Sequence, residues 1–317
     1  MTRDSLAAGD LIAERRFAYA KAAADEGDLS AASELFEQAL ERAPDWAVAW
    51  FALGEVREKL GDLDAAARAF RETLAADPAD AQGAMARLAL IGRGETPGAL
   101  PQAYVARLFD DYAPRFDKHL TGNLGYRAPA LIAEAVSAVA PNRRFVSALD
   151  LGCGTGLMGA PLGERVDRLA GVDLSAAMIA KARERGAYDR LVVGDALAML
   201  GREAPGVFDL IVAADALVYF GDLAPLLAAV LTALTANGLF AFSVETWAGD
   251  GFKLEPTMRF AHSRSYLEAT AREVGLRPLL IQQASTRREA GRDAPGLICV
   301  FERADGRAGE RPSRQPS

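Results

Sequence analysis

Cysteine and histidine are almost missing from this sequence: Cys153, Cys299, His119 and His262 are the only ones in 317 residues. Two cysteines make neither a disulfide framework nor a thiolate metal cage, and a reducing compartment suits such a chain best. Long apolar runs are missing too. No stretch reaches about 18 uninterrupted apolar residues, and the opening MTRDSLAAGDLIAERR is charged before any apolar segment. Neither a membrane span nor a secretion signal is expected, and the reading is cytoplasmic. Nor is there an excess of positive charge. Thirty-six basic residues face 43 acidic ones, net −7, which argues against nucleic acid or an anionic membrane surface as partner.

What is present is apolar bulk. Half of the residues are hydrophobic, enough for real cores, and the length suits two domains at roughly 150 residues each. The acidity is uneven. Residues 1–93 carry 11 Lys/Arg against 17 Asp/Glu, and the remainder is close to balanced.

The acidic part repeats itself. A shift of 34 residues lays Gly27-Asp28-Leu29 on Gly61-Asp62-Leu63, Ala32 on Ala66, Phe36 on Phe70, Leu40 on Leu74 and Pro44 on Pro78. That is a helix-pair period, with Gly-Asp breaking the helices and proline stopping each unit. Trp50, Leu53-Gly54, Ala66, Phe70 and Pro78 stand where tetratricopeptide repeats place their marker residues, so 13–46 and 47–80 resemble two such units, with 80–92 as a capping helix. The first unit departs from the pattern, with Arg16 and Tyr19-Ala20 at marker positions. Such a module either grips a protein partner or carrier, or serves packing and self-association.

After a Gly/Pro-rich stretch, GRGETPGALP at 92–101, the pattern changes to alternating strands and helices. This implies an α/β fold with a mostly parallel sheet, whose ligands bind beyond the carboxyl ends of the strands. The domain boundaries read as 1–93, a linker at 94–103, an α/β domain at 104–303 and a disordered tail at 304–317. The first strand runs into Asp150-Leu-Gly152-Cys153-Gly154-Thr-Gly156 and then a helix. The dinucleotide fingerprint G-x-G-x-x-G fails, because Leu157 occupies the third glycine position counted from Gly152.

The D-x-G-x-G-x-G turn resembles the first motif of class I S-adenosylmethionine-dependent methyltransferases. Asp173 closes the next strand 21 residues after Gly152, where a carboxylate can accept from both ribose hydroxyls. Asp195-Ala196 follow the third strand, where the resemblance implies a contact to the adenine amine. Leu174 and Met178 would then offer apolar contact, and Asp215 after the fourth strand stands where such enzymes line the cofactor and substrate mouth. Each acid also has the plainer role of helix cap or turn former. The resemblance implies a Rossmann-like seven-stranded sheet with an antiparallel last strand, and S-adenosylmethionine as cofactor. The segment at 104–129 resembles a helical lid, with Tyr112 and Phe116 toward the methionine end. The whole looks like the bacterial methyltransferase group that carries tetratricopeptide repeats.

Methyl transfer from a sulfonium chiefly needs alignment and dryness. Where a proton must leave, histidine is the side chain best matched to neutral pH. The candidates are His262, in the insertion after the fifth strand, and His119, at the end of the lid helix. Each has a plain alternative, helix entry beside a Ser263 or Ser265 cap for the first and a dipole-facing helix end for the second. Glu245, Tyr219, Trp247 and Tyr266 are candidate pocket walls, and Cys153 reads as a small residue inside the turn. Asp215-Ala-Leu-Val218 is not the D/N-P-P-Y/F of enzymes that methylate amide or nucleobase amines. No metal site is expected. The leading expectation is a metal-free methyltransferase for a small-molecule acceptor. The alternatives are a protein or carrier-bound acceptor recruited by the repeats, and a non-catalytic interaction protein on a cofactor-binding scaffold.

Overall fold

The computed structural model describes residues 8–118, 125–289 and 292–303. It begins with two helical hairpins, α1 (Leu11–Glu26) with α2 (Leu29–Leu40) and α3 (Ala47–Lys59) with α4 (Leu63–Ala76). Both turn on the same Gly-Asp pair. Gly27 and Gly61 take left-handed backbone, φ 87° and 81°, a conformation that costs other residues about 1–2 kcal/mol. Asp28 and Asp62 then cap the following helix, accepting from the N–H of Ala31 and Ala65 at 3.0 Å each. The sequence period is thus a period of helix ends. Close approach is enforced between the hairpin's helices as well: a Cβ on Gly54 would lie 2.5 Å from the Phe70 ring.

Residues 80–92 contain α5 (Ala84–Leu90), whose first N–H groups, on Ala84 and Met85, donate to the buried Asp80 carboxylate at 2.6 and 3.0 Å. On one side Ala84 and Leu88 close the repeat stack. On the other, Ala86 enters a cluster with Leu100, Val105, Leu254 and Phe260, so α5 is also a joint. The Gly/Pro-rich stretch is fastened rather than loose. The Gly98 carbonyl accepts from the N–H groups of Gly221 and Asp222, both at 2.8 Å, and Leu100 donates to the Tyr219 carbonyl at 2.9 Å.

Next come α6 (Gln102–Tyr112) and α7 (Ala128–Val139), then the sheet strands β1 (Ala148–Leu151), β2 (Leu169–Asp173), β3 (Arg190–Val193), β4 (Phe208–Ala213) and β5 (Leu234–Thr246). Between them lie α8 (Gly159–Leu162), α9 (Ala176–Arg185), α10 (Ala196–Leu200) and α11 (Ala224–Ala233). The chain continues as β6 (Phe252–Glu255), β7 (Arg259–His262), α12 (Arg264–Val274), β8 (Leu276–Gln283), the short pair β9 (Arg288–Glu289) and β10 (Arg292–Asp293), and β11 (Gly296–Arg303).

The strand order is β3-β2-β1-β4-β5-β11-β8. Neighbours from β3 to β5 are parallel, and β11 is antiparallel to both β5 and β8. This is the expected mostly parallel sheet with an antiparallel last strand. The insertion after β5 is itself a hairpin: β7 pairs parallel with the end of β5, Glu245 opposite Ala261, and β6 pairs antiparallel with β7.

Alternation puts successive side chains on opposite faces. Ile211, Phe240, Phe242, Cys299 and Phe301 face α11 and α12 in one core, while Leu210, Val212, Leu239, Ala241, Ile298 and Val300 face α7 in the other. Both faces are covered, which is why these strands read as continuous apolar runs. No helix among the described residues is long and apolar enough to cross a membrane.

Candidate active site

Beyond the carboxyl ends of the strands lies a cavity of about 680 Å³, within the ~300–1,000 Å³ usual for small-molecule sites. The strand order splits it in two. From β1 the chain winds toward β2 and β3, and from β4 toward β5, so a crevice opens between β1 and β4.

The β1–β3 side is made of backbone and acids. Gly152 and Gly154 have φ 68° and 53°, and a Cβ on Gly152 would stand 2.6 Å from that of Ala216, so glycine is required there twice over. The Gly154 N–H donates to Asp173 Oδ2 at 2.9 Å and the Ser175 N–H to Oδ1 at 2.8 Å. Burial pushes the Asp173 carboxyl up from the usual carboxylate range, against the pull of those two N–H groups. Asp195 caps α10, its Oδ2 accepting from the Ala198 N–H at 2.8 Å. Leu174, Ala196 and Leu197 supply the apolar lining.

The roof is α6 and the turn after it. Tyr112 and Phe109 meet Phe116 edge-on at 5.2 and 6.1 Å, and Phe109 meets Tyr219 at 5.5 Å. Polar contacts moor it. Ser175 Oγ donates to Asp110 at 2.5 Å, Thr155 Oγ1 to Asp117 at 2.5 Å, and Arg185 bridges Asp117 and the Thr155 carbonyl.

The β4–β8 side is made of side chains. Asp215 sits in left-handed backbone, φ 54°, held by Ser243, whose Oγ accepts from its N–H at 2.8 Å and donates to its Oδ1 at 2.7 Å. Thr286 Oγ1 donates to the other oxygen at 3.1 Å. Tyr126, Tyr219, Arg259 and Arg287 complete this wall. Burial pushes both phenols up, so they are neutral donors near pH 7.

Of the residues expected at the site, Gly152, Gly154, Asp173, Leu174, Asp195, Ala196, Asp215, Tyr112, Phe116 and Tyr219 line this one cavity. Others face away and are corrected. Asp150 points to the far side of β1, where the Tyr188 hydroxyl donates to it at 2.7 Å and burial lifts its carboxyl to about 7. Cys153 packs against Gly171, and burial first, with Asp150 and Asp173 beside it, pushes its thiol up. Gly156 shapes the turn under Tyr188 and Ala182. Met178 is fully buried in α9.

His262 is the main correction. It lies at the end of β7, fully buried, with Nε2 3.1 Å from the Gly221 carbonyl and its ring stacked at 5.8 Å on Tyr266. Burial lowers its pKa to about 4. It is a neutral packing residue that does not line the cavity, and Ser263 caps α12 by accepting from the Tyr266 N–H at 3.2 Å. Glu245 is taken by Arg259 and Arg287 at 2.5 and 2.6 Å. His119 falls outside the described residues, as does the tail at 304–317. Sequence reading misses Arg259, Arg287, Tyr126 and the strap at 98–101. The one usable signal is the insertion after β5, which contains Arg259.

Residues 148–238 match a family model described as a methyltransferase domain, and residues 23–90 match a tetratricopeptide repeat model. The chain carries a methyltransferase domain behind tetratricopeptide repeats. Among curated proteins it is similar to the malonyl-[acyl-carrier protein] O-methyltransferase of Enterobacter lignolyticus (strain SCF1), 36% identical over 95 residues. Those residues are 30% of this chain, which spans only 36% of that relative. Among solved structures, the [4+2]-cyclase SpnF aligns with TM-score 0.54 and 17% identity over 65% of this chain and 96% of its own. The 1,6-didemethyltoxoflavin-N1-methyltransferase of Burkholderia thailandensis aligns with TM-score 0.50 and 20% identity over 67% and 93%. At these identities the methyltransferase domain shares a fold with them. That a cyclase stands among them shows how little the fold alone says of chemistry.

Proposed function

We propose that the protein is an S-adenosylmethionine-dependent methyltransferase for a small-molecule acceptor, with the repeats binding a partner or a second copy. The observation that carries this reading is the pair Asp173 and Asp195, at the ends of neighbouring strands over the Gly152–Gly154 turn, within the matched domain. The residues fit the cofactor. Each Asp173 oxygen accepts one backbone N–H and keeps a lone pair for a ribose hydroxyl. Asp195 uses Oδ2 as a cap, leaving Oδ1 for an exocyclic amine, and Leu174 and Leu197 offer apolar faces to a nucleoside.

When bound, S-adenosylmethionine supplies an electrophilic methyl group on sulfur. The chain supplies placement. The roof of Phe109, Tyr112 and Phe116 excludes water, and the crevice between β1 and β4 sets donor and acceptor on opposite sides. On this reading catalysis rests chiefly on that alignment. The exposed apolar residues Leu11, Ile12 and Tyr19 on α1 support a contact surface on the repeats.

The test is calorimetry of the full chain with S-adenosylhomocysteine, followed by metabolite profiling with isotopically labelled methyl donor. Binding in the micromolar range and one labelled product are expected. No binding, or a nicotinamide dinucleotide binding instead, overturns the reading. A carrier-bound acceptor is a second reading, favoured by the similarity to the malonyl-[acyl-carrier protein] O-methyltransferase. Label appearing on a protein-sized species would select it.

A further inference from the structure

The acceptor side of the cavity carries one polar group that the protein itself leaves unanswered. Tyr219 closes the short turn after β4 and lines the cavity. Its ring is fixed on three sides. Phe109 meets it edge-on at 5.5 Å, the Arg259 guanidinium stands 5.6 Å from its centre, and its backbone carbonyl accepts from the Leu100 N–H at 2.9 Å. The hydroxyl is different. It makes no hydrogen bond with any described residue, yet it does not belong to the unpartnered atoms that are closed off from solvent, so its open surface faces the cavity that Tyr219 lines. Burial holds the phenol neutral near pH 7. It is a proton donor without an acceptor.

The charges near it are settled among themselves. Arg259 and Arg287 both meet Oε1 of Glu245, at 2.5 and 2.6 Å, and Asp215 is the second acid against the two arginines, held by Ser243 and Thr286. Arg259 Nη2 and Arg287 Nη1 are closed off, so neither fork is offered to a ligand. The Tyr126 hydroxyl turns to the Ala214 carbonyl at 3.5 Å. Leu100, Val105 and Phe109 complete an apolar room around the Tyr219 ring.

We propose that the acceptor is an uncharged molecule with an apolar body, held by a carbonyl or hydroxyl oxygen that accepts from Tyr219. This rests on the methyltransferase reading and narrows its acceptor. A charged group entering here would lose its water without gaining an opposite charge, because the ions of this wall already offset one another. A neutral oxygen loses less and gains the one donor left open. The fixed ring presents that donor at little entropic cost. An analogue without the oxygen would leave the hydroxyl unpaired, which is how a polar group in an apolar room discriminates.

Four probes separate charge from hydrogen bonding: acetophenone, ethylbenzene, benzoate and benzylammonium, each titrated by ligand-observed NMR into the full chain saturated with S-adenosylhomocysteine. Acetophenone should bind at least tenfold more tightly than either ion. Tyr219→Phe keeps the ring and removes the donor. It should weaken acetophenone at least fivefold and change ethylbenzene less than twofold, with S-adenosylhomocysteine affinity within twofold of the unaltered chain. Should the variant fail to fold, the comparison of acetophenone with the two ions on the unaltered chain still decides the proposal. Binding of an ion as tight as that of acetophenone, binding of no probe, or an acetophenone affinity that survives Tyr219→Phe overturns it. A tenfold loss of S-adenosylhomocysteine affinity in Tyr219→Phe also overturns it, by assigning the phenol to the donor, and leaves the methyltransferase reading standing. Absence of S-adenosylhomocysteine binding by the unaltered chain would remove that reading first.

Discussion

The two sides of the cavity are built by different means. On the β1–β3 side, Gly152, Gly154, Asp173 and Asp195 sit at strand ends, their positions set by backbone N–H groups and positive φ values. On the β4–β8 side, Asp215, Glu245, Arg259 and Arg287 are held by other side chains that arrive from distant strands. The first construction suits a ligand that never changes, and the second suits one that differs from protein to protein. A side made of backbone tolerates little substitution, whereas a side made of side chains can be rebuilt without disturbing the sheet.

The largest effect should come from the support beneath the second side. Phe260, fully buried between β7 and the repeats, should cost about 3–5 kcal/mol when truncated in Phe260→Ala, read by chemical denaturation. S-adenosylhomocysteine affinity of the folded fraction should not change, and its collapse would break the division between the sides.

Next is a pH effect from the same region. His262 has a folded pKa near 4 against 6.5 for the free side chain. The unfolded chain therefore takes up a proton before the folded one does, and stability is lost as pH falls from about 6.5 to 4. His262→Gln should flatten that slope, worth on the order of 3 kcal/mol at 1.36 per pKa unit, in denaturation curves across the window. A slope that persists would mean that another group carries it.

Asp173→Ala comes third. Losing even one hydrogen bond to a charged acceptor, worth about 1.5–3 kcal/mol, should weaken S-adenosylhomocysteine by about tenfold to a hundredfold in calorimetry. The smallest effect is expected far from both sides, where the exposed pair Arg144–Asp167 should yield under about 1 kcal/mol on Arg144→Ala.

The same contrast governs what the sequence discloses. Glycines at alternate positions and acids at strand ends depend on local geometry, so Gly152, Gly154 and Asp173 stand out by their spacing, and Asp195 through the resemblance to class I methyltransferases. The repeats are legible for a similar reason, since Gly27-Asp28 and Gly61-Asp62 do one local job twice. Arg259 and Arg287 have no such signature: their partner Glu245 is supplied by the pairing of β7 with β5 and by the turn after β8. His262 misleads because chain position places it beside the site, while the pleat of β7 turns its ring away, toward Gly221 and Tyr266. Asp150 misleads in the same way, one face of β1 meeting Tyr188 instead of the cavity.

The joint at α5 bears on how the chain can be taken apart. Ala86 belongs to the repeat stack by sequence and to the cluster of Leu254 and Phe260 by packing, while Met258, one residue before Arg259, lies against Gly83 and Tyr104. Cutting away the first 93 residues would uncover the back of the very hairpin that presents Arg259. The two halves are thus not interchangeable cassettes, and a lost activity after such a cut would report damage to the pocket's foundations rather than the loss of a recruited partner.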